Sequence, residues 1–234
     1  MICERLHTIF NGLKRHRFPF DEHLIPQNGI YILFEAGERA HGDHDRIVRI
    51  GTHTGKNNLR QRLSEHFLKE NKDRSIFRKN IGRALLSREQ DSFLEQWEID
   101  LTASAAKRQH VGYLESKKLS EVEAEVSKVI RDYFTFCVFR VDDKQQRLKL
   151  EESMIATVNH CCVCRPSKTW LGNHSPKNQI RDSGLWLVQG LNSQGMNEQD
   201  LEGLETMVRQ VETDLIENHL DVETGILDFS KALN

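Results

Sequence analysis

Between residues 2 and 14 the apolar positions Leu6, Ile9, Phe10 and Leu13 recur at the three-and-four spacing of a helix with one buried face. Phe18-Pro19-Phe20 and Pro26 then break that pattern. Gly29 to Glu35 (GIYILFE) is a short apolar run of β-branched and aromatic residues, which predicts a strand. Gly37 to Asp45 is polar and turn-rich, and Arg46 to Ile50 (RIVRI) predicts a second strand. The two strands read as a hairpin with a long connection.

After a Gly/Thr/Asn loop from Gly51 to Asn58, Leu59, Leu63, His66 and Phe67 fall on one side of a predicted helix. A second helix is expected from about Arg74 to Leu86. Leu119 to Tyr133 predicts another, opened by a Ser120-x-x-Glu123 capping box. Phe134 to Val141 (FTFCVFRV) is strand-like, and Lys149 to His160 is helical. Arg165 to Asn173 is a loop, and Asp200 to Leu220 carries a further amphipathic pattern. Strands and helices in this mixed order predict an α+β fold, a small antiparallel sheet flanked by helices. The expected organisation is an N-terminal helical extension (1–27), a central domain (28–187) and an acidic helical extension (188–234).

Composition narrows the function classes. With 38% hydrophobic and 29% charged residues the chain reads as soluble, and no apolar run approaches the roughly 20 residues of a membrane span. The charged N-terminus lacks the apolar stretch of a signal peptide, so a cytoplasmic location and no membrane partner are expected. The five cysteines show no disulfide-framework spacing. Cys161, Cys162 and Cys164 cluster beside His160 without the usual second pair of zinc ligands, so reduced thiols at a helix end are expected.

The net charge of -2 conceals a segregation. Arg46 to Arg83 holds eleven Lys/Arg against three Asp/Glu, whereas Asn197 to Gly225 holds nine Asp/Glu and one base, Arg209. A basic block can mark a phosphate-facing surface or a solvated helix face.

Across the first hairpin and the helix after it, the residue types suit phosphodiester chemistry. Tyr31 lies on the first strand of the hairpin and Arg49 on the second, while Arg62 and His66, four residues apart, share a helix face. Such a reaction needs a cation for the charge developing on phosphate, a proton acceptor for water, and a carboxylate for a divalent metal.

The ordered elements GIY (Gly29–Tyr31), RIG (Arg49–Gly51) and LRQRLSEHF (Leu59–Phe67) resemble the GIY-YIG nuclease superfamily. Glu151 fits that family's metal helix, with Met154 and Ile155 three and four residues on. Trp170-Leu171-Gly172 and Ser183-Gly184-Leu185-Trp186 resemble segments that follow the Glu helix in a bacterial branch of the family. The resemblance covers roughly residues 28 to 187.

It implies a metal-dependent endonuclease acting on nucleic acid, with DNA the expected substrate and Mg²⁺ or Mn²⁺ the cofactor. Tyr31 would be the general base or position the attacking water. Arg62 would contact the scissile phosphate, His66 would assist by hydrogen bonding or proton transfer, and Glu151 would ligate the metal. His53, Arg78 and Asn173 are candidate substrate contacts, although Arg78, a candidate phosphate clamp, also reads as an ordinary surface pair and His53 as an exposed loop residue.

Two departures stand out. Arg49 occupies the place where the family has Tyr, and an arginine cannot act as a base near neutral pH. It would bind phosphate, act electrostatically on Tyr31, or point to solvent. The interval from Gly51 to Arg62 is longer than in the family, which makes Thr52 to Asn58 an inserted loop. The alternative readings are a binding protein on the same fold that does not cleave, and an interaction module using the acidic C-terminal helix. Trp170 and Trp186, each followed by an apolar residue, read as core rather than base-stacking platforms.

Overall fold

The computed structural model describes residues 1–103 and 115–209. One compact unit spans Met1–Met196 and a second spans Asn197–Asn234. In the first unit the order is helix α1 (Ile2–Gly12), strand β1 (His16–Arg17), β2 (Gly29–Ala40), β3 (His44–Gly51), α2 (Leu59–Phe67), α3 (Ile76–Arg88) and α4 (Leu94–Trp97). Then follow α5 (Ser116–Tyr133), β4 (Phe134–Arg140), α6 (Lys144–Asn159) and α7 (Asn178–Ser183). The second unit is helical over residues 198–209, and the rest of the helix expected over 200–220 lies outside the described residues.

The fold is α+β. Four antiparallel strands run in the order β1-β4-β2-β3, with β2 paired to both β3 and β4. Alternation along β2 sends its side chains to two covered faces. Tyr31 and Leu33 join Val48, Phe134 and Phe136 against Leu59, Leu63 and Phe67 of α2, Phe77 and Ile81 of α3, and Val126 and Ile130 of α5. Helices α1 and α6 pack against β3, and Phe10 of α1 stacks on Phe139 with ring centroids 5.7 Å apart. Burial on both faces explains why β2 reads as a continuous apolar run rather than an alternation.

The hairpin differs from expectation. β2 continues to Ala40, and the connection to β3 is only the turn at residues 41–43. The register shifts between Phe34 and Arg39, and Gly37 takes φ +87° there, so the polar stretch is a bulged ladder rather than a loop. Arg39 pairs with Asp45 across it at 2.7 Å.

Two helix starts also move. α5 begins at Ser116, and Ser120 sits inside it, donating to the Ser116 carbonyl, so the capping box does not form. Glu123 is instead turned inward to an arginine described below. α6 begins at Lys144 because Asp143 caps it, accepting the Gln146 N–H at 2.7 Å. Among the described residues no helix is long and apolar enough to cross a membrane.

Trp170 and Trp186 are core residues, 2% and 0% exposed, and both indole N–H groups donate to Oε2 of Glu35 at 2.8 Å. The Trp186 backbone N–H donates to the Val48 carbonyl at 2.8 Å, which covers the outer edge of β3.

Candidate active site

Register positions the first two members. Tyr31 stands opposite Gly51 and Leu33 opposite Arg49 on the α2/α3 side of the hairpin. A Cβ built on Gly51 would lie 2.2 Å from the Tyr31 hydroxyl, so the phenol crosses directly over a residue that must have no side chain. Arg49 Nε donates to Tyr31 Oη at 3.3 Å, its Nη1 donates to the Trp186 carbonyl, and its guanidinium stands 5.6 Å from the Phe77 ring centroid. Arg49 is therefore buried, and does not point to solvent from an edge strand.

Helix α2 brings His66 to the same phenol. His66 Nε2 lies 2.8 Å from Tyr31 Oη, and Nδ1 lies 2.7 Å from Oγ of Ser75. Ser75 is the N-cap of α3 and accepts the Arg78 N–H at 3.2 Å, so one hydroxyl ends a helix and holds the imidazole. Burial is the main cause that lowers the His66 pKa well below its ordinary value, and the charges of Arg62, Arg49 and Arg78 act in the same direction. Both effects favour the neutral imidazole.

Arg62, one turn before His66, sits at the rim. Its side chain is 24% exposed, and Nη1 donates to Glu65 at 3.3 Å and to the Arg74 carbonyl at 3.0 Å. It lines a cleft of about 300 Å³ with Thr52, Gly55, Asn58, Gln61 and Glu65. On α6, Glu151 Oε1 accepts the Thr52 N–H at 3.0 Å, one residue past the end of β3. Burial raises its pKa, while Arg49, the Thr52 N–H and Arg62 pull it down. Met154 and Ile155 face the core, and Glu152 is exposed and accepts from Ser193, so the helix face separates the two acids.

Tyr31, Arg49 and His66 are thus joined by hydrogen bonds, and Arg62 and Glu151 act on them or on each other through their charges. The remaining candidates lie differently. His53 is 5% exposed, lines the same cleft as Arg62 and ties the 52–58 loop to β2: Nδ1 lies 2.7 Å from the Gly55 carbonyl and Nε2 accepts from Gly29 N at 3.4 Å. Its burial contrasts with the exposure expected for it.

Arg78 is fully buried. It donates twice to Glu123 Oε2, and also to the Ser127 hydroxyl and the His66 carbonyl. That commitment leaves it inside the core behind His66 rather than on the cleft. Asn173 donates to the carbonyls of Ser167 and Lys168, which holds the Trp170 loop together.

The basic block is accordingly less of a surface than its count suggests. Arg46, Arg49, Lys72, Arg78 and Arg83 are buried, and Glu38, Glu123 and Glu98 neutralise Arg46, Arg78 and Arg83. Lys56, Lys69 and Arg74 are exposed, with Arg60 and Arg62 half-buried. The Ser75 cap and the Thr52 N–H are parts of the constellation that no spacing rule singled out.

Comparison with known families matches residues 2–214 to the GIY-YIG domain. A search of curated proteins and one of solved structures found no match. The match extends over most of the chain, and the α+β architecture and the ordered GIY, RIG and Arg/His elements agree with it. The chain belongs to the GIY-YIG domain family, and with it to the GIY-YIG nuclease superfamily.

Proposed function

We propose that the protein is a metal-dependent endonuclease that hydrolyses phosphodiester bonds in nucleic acid, with DNA as substrate. The observation that carries the reading is the convergence of Tyr31, Arg49 and His66 in one hydrogen-bonded group beside a cleft rimmed by Arg62. Glu151 fits a hard divalent cation. One carboxylate oxygen is oriented by the Thr52 N–H, Oε2 accepts no hydrogen bond among the described residues, and Mg²⁺ characteristically takes one or two carboxylates with substrate oxygens and water. Mg²⁺ or Mn²⁺ held there supplies positive charge to the phosphate oxygens.

The chain's own residues do the rest. Arg62, a cation at the rim, receives the scissile phosphate and stabilises charge developing on it. Tyr31 takes the proton of the attacking water as its own hydroxyl proton passes to Nε2 of His66, with the hydroxyl direction fixed by the Arg49 N–H. Ser75 holds the imidazole in place.

A second reading, nucleic-acid binding without cleavage, is favoured by one observation: Tyr31 has no exposed surface, so water meets its hydroxyl only after the cleft opens. End-labelled single- and double-stranded DNA and RNA incubated with Mg²⁺, Mn²⁺ or EDTA separate the two. The nuclease reading predicts metal-dependent cleavage of DNA that Arg62→Ala and Glu151→Ala abolish. Salt-sensitive binding with no cleavage in any condition supports the second reading.

A further inference from the structure

Far from Glu151 in sequence role and in ligand chemistry, four other side chains converge. Cys3 comes from the first turn of α1, His41 from the turn between β2 and β3, and Cys161 and Cys164 from the loop after α6. Their ligand atoms all lie within 4.8 Å of one another. Sγ of Cys3 is 3.3 Å from Sγ of Cys164, and Nε2 of His41 is 3.3 Å from Sγ of Cys164 and 3.6 Å from Sγ of Cys161. A tetrahedral zinc with the usual bond lengths separates two sulfurs by about 3.8 Å and a sulfur from a nitrogen by about 3.6 Å. The observed separations need shifts of only a few tenths of an ångström along these edges.

The surroundings are those of a closed site. Cys3, Cys161 and Cys164 are 5%, 9% and 2% exposed. His41 adopts φ 51°, a left-handed conformation uncommon for a residue with a side chain, in the turn that presents its ring to the thiols. His7, although close, is engaged otherwise: Nε2 accepts the Ile47 N–H at 3.2 Å and Nδ1 lies 2.9 Å from the Cys3 carbonyl. It therefore braces the backbone of Cys3 from behind, as groups around metal ligands do. Cys162 is exposed, so the two adjacent cysteines do not compete for one position.

We propose that Cys3, His41, Cys161 and Cys164 bind one zinc ion in a closed tetrahedral site that ties α1 and the loop after α6 to the β2–β3 turn. The three thiols release their protons to solvent on binding, and the imidazole binds neutral. Thiolate ligands select zinc over Mg²⁺, so this site is structural and separate from the hard-cation site at Glu151. Sequence spacing showed only the Cys161–Cys164 half, because the other two ligands lie more than a hundred residues away in the chain.

The test is metal content of the full chain purified in reducing buffer without chelator. Mass spectrometric elemental analysis is expected to find about one zinc per chain, falling at least tenfold in Cys164→Ser and His41→Ala and unchanged in Cys162→Ser. Metal-stripped wild type titrated with Co²⁺ is expected to develop the visible bands of tetrahedral cobalt and a near-ultraviolet thiolate charge-transfer band. That readout needs no variant to fold. A reduced wild-type chain that carries no zinc and shows no thiolate–cobalt spectrum overturns the proposal. So does a Cys3–Cys164 disulfide persisting under reducing conditions, or metal loss in Cys162→Ser equal to that in Cys164→Ser.

Discussion

The hydroxyl of Tyr31 and Nε2 of His66 lie 2.8 Å apart in the interior, brought together by a strand and a helix although the two residues are 35 positions apart in sequence. The same hydroxyl accepts a hydrogen bond from Arg49 Nε, so the phenol is held on two sides. Arg49, which stands where the family has tyrosine, thus keeps its contact with the first motif although it cannot supply a base.

Tyr31→Phe keeps the ring and removes both contacts. Cleavage is expected to fall about 100-fold or more, the range for a lost acid–base group. Stability is expected to drop by about 1–3 kcal/mol, because Arg49 and His66 lose a buried partner. Single-turnover cleavage and urea denaturation measure the two effects. Unchanged cleavage with reduced stability would leave the phenol only a packing role.

Gly51→Ala places a methyl where the Tyr31 hydroxyl runs, 2.2 Å from it. The phenol or the strand must move. The expected result is a loss of about 1–3 kcal/mol from overpacking, together with a cleavage defect as Tyr31 leaves His66. Thermal unfolding and cleavage of the same preparation check it. A variant as stable and as active as wild type contradicts the close approach.

The arginines separate by role. Arg78→Ala breaks a buried pair with Glu123 and is expected to cost about 3–5 kcal/mol. Arg62→Ala, at the rim, is expected to change stability by no more than about 1 kcal/mol while cleavage is lost. Denaturation midpoints and cleavage rates measured side by side decide this. The reverse pattern would return Arg78 to the role of phosphate clamp.

Glu35 supplies a pH signature. Burial pushes its pKa up from 4.5 to about 7, against the two indole N–H donors. A carboxyl raised on folding binds more protons folded than unfolded between those values, so its contribution to stability declines as pH rises through that window. Above it the full cost, about 3 kcal/mol, is present. Glu35→Gln retains an oxygen for the indoles and removes the titration. Relative to wild type, the variant is expected to gain about 3 kcal/mol between pH 4.5 and 7.5, read from urea midpoints across pH. A pH-independent difference contradicts the assignment.

Much of this was legible along the chain because periodicity and motif order report local structure. GIYILFE and RIVRI marked two paired strands of the sheet, Arg62 and His66 shared a helix face, and Glu151 was separated from Glu152 by the burial of Met154 and Ile155. What failed depends on partners distant in sequence. The Glu38–Arg46 pair turned a polar stretch into a bulged ladder, and Glu123 drew Arg78 into the core. The thiol cluster stayed half hidden because its ligands come from three segments and only Cys161 and Cys164 share a local spacing. A count of charges likewise could not say that five of the basic residues would be buried.

Tyr31, Arg49, Arg62, His66 and Glu151 are proposed to form one phosphodiester-cleaving site. The most direct measurement is the single-turnover rate of cleavage of labelled duplex DNA in Mg²⁺, comparing wild type with Glu151→Gln. Wild type is predicted to cut, and the variant to be at least about 100-fold slower while it keeps its DNA affinity at fixed salt. Equal rates in the two proteins, or wild-type cleavage that persists in EDTA, would contradict the account.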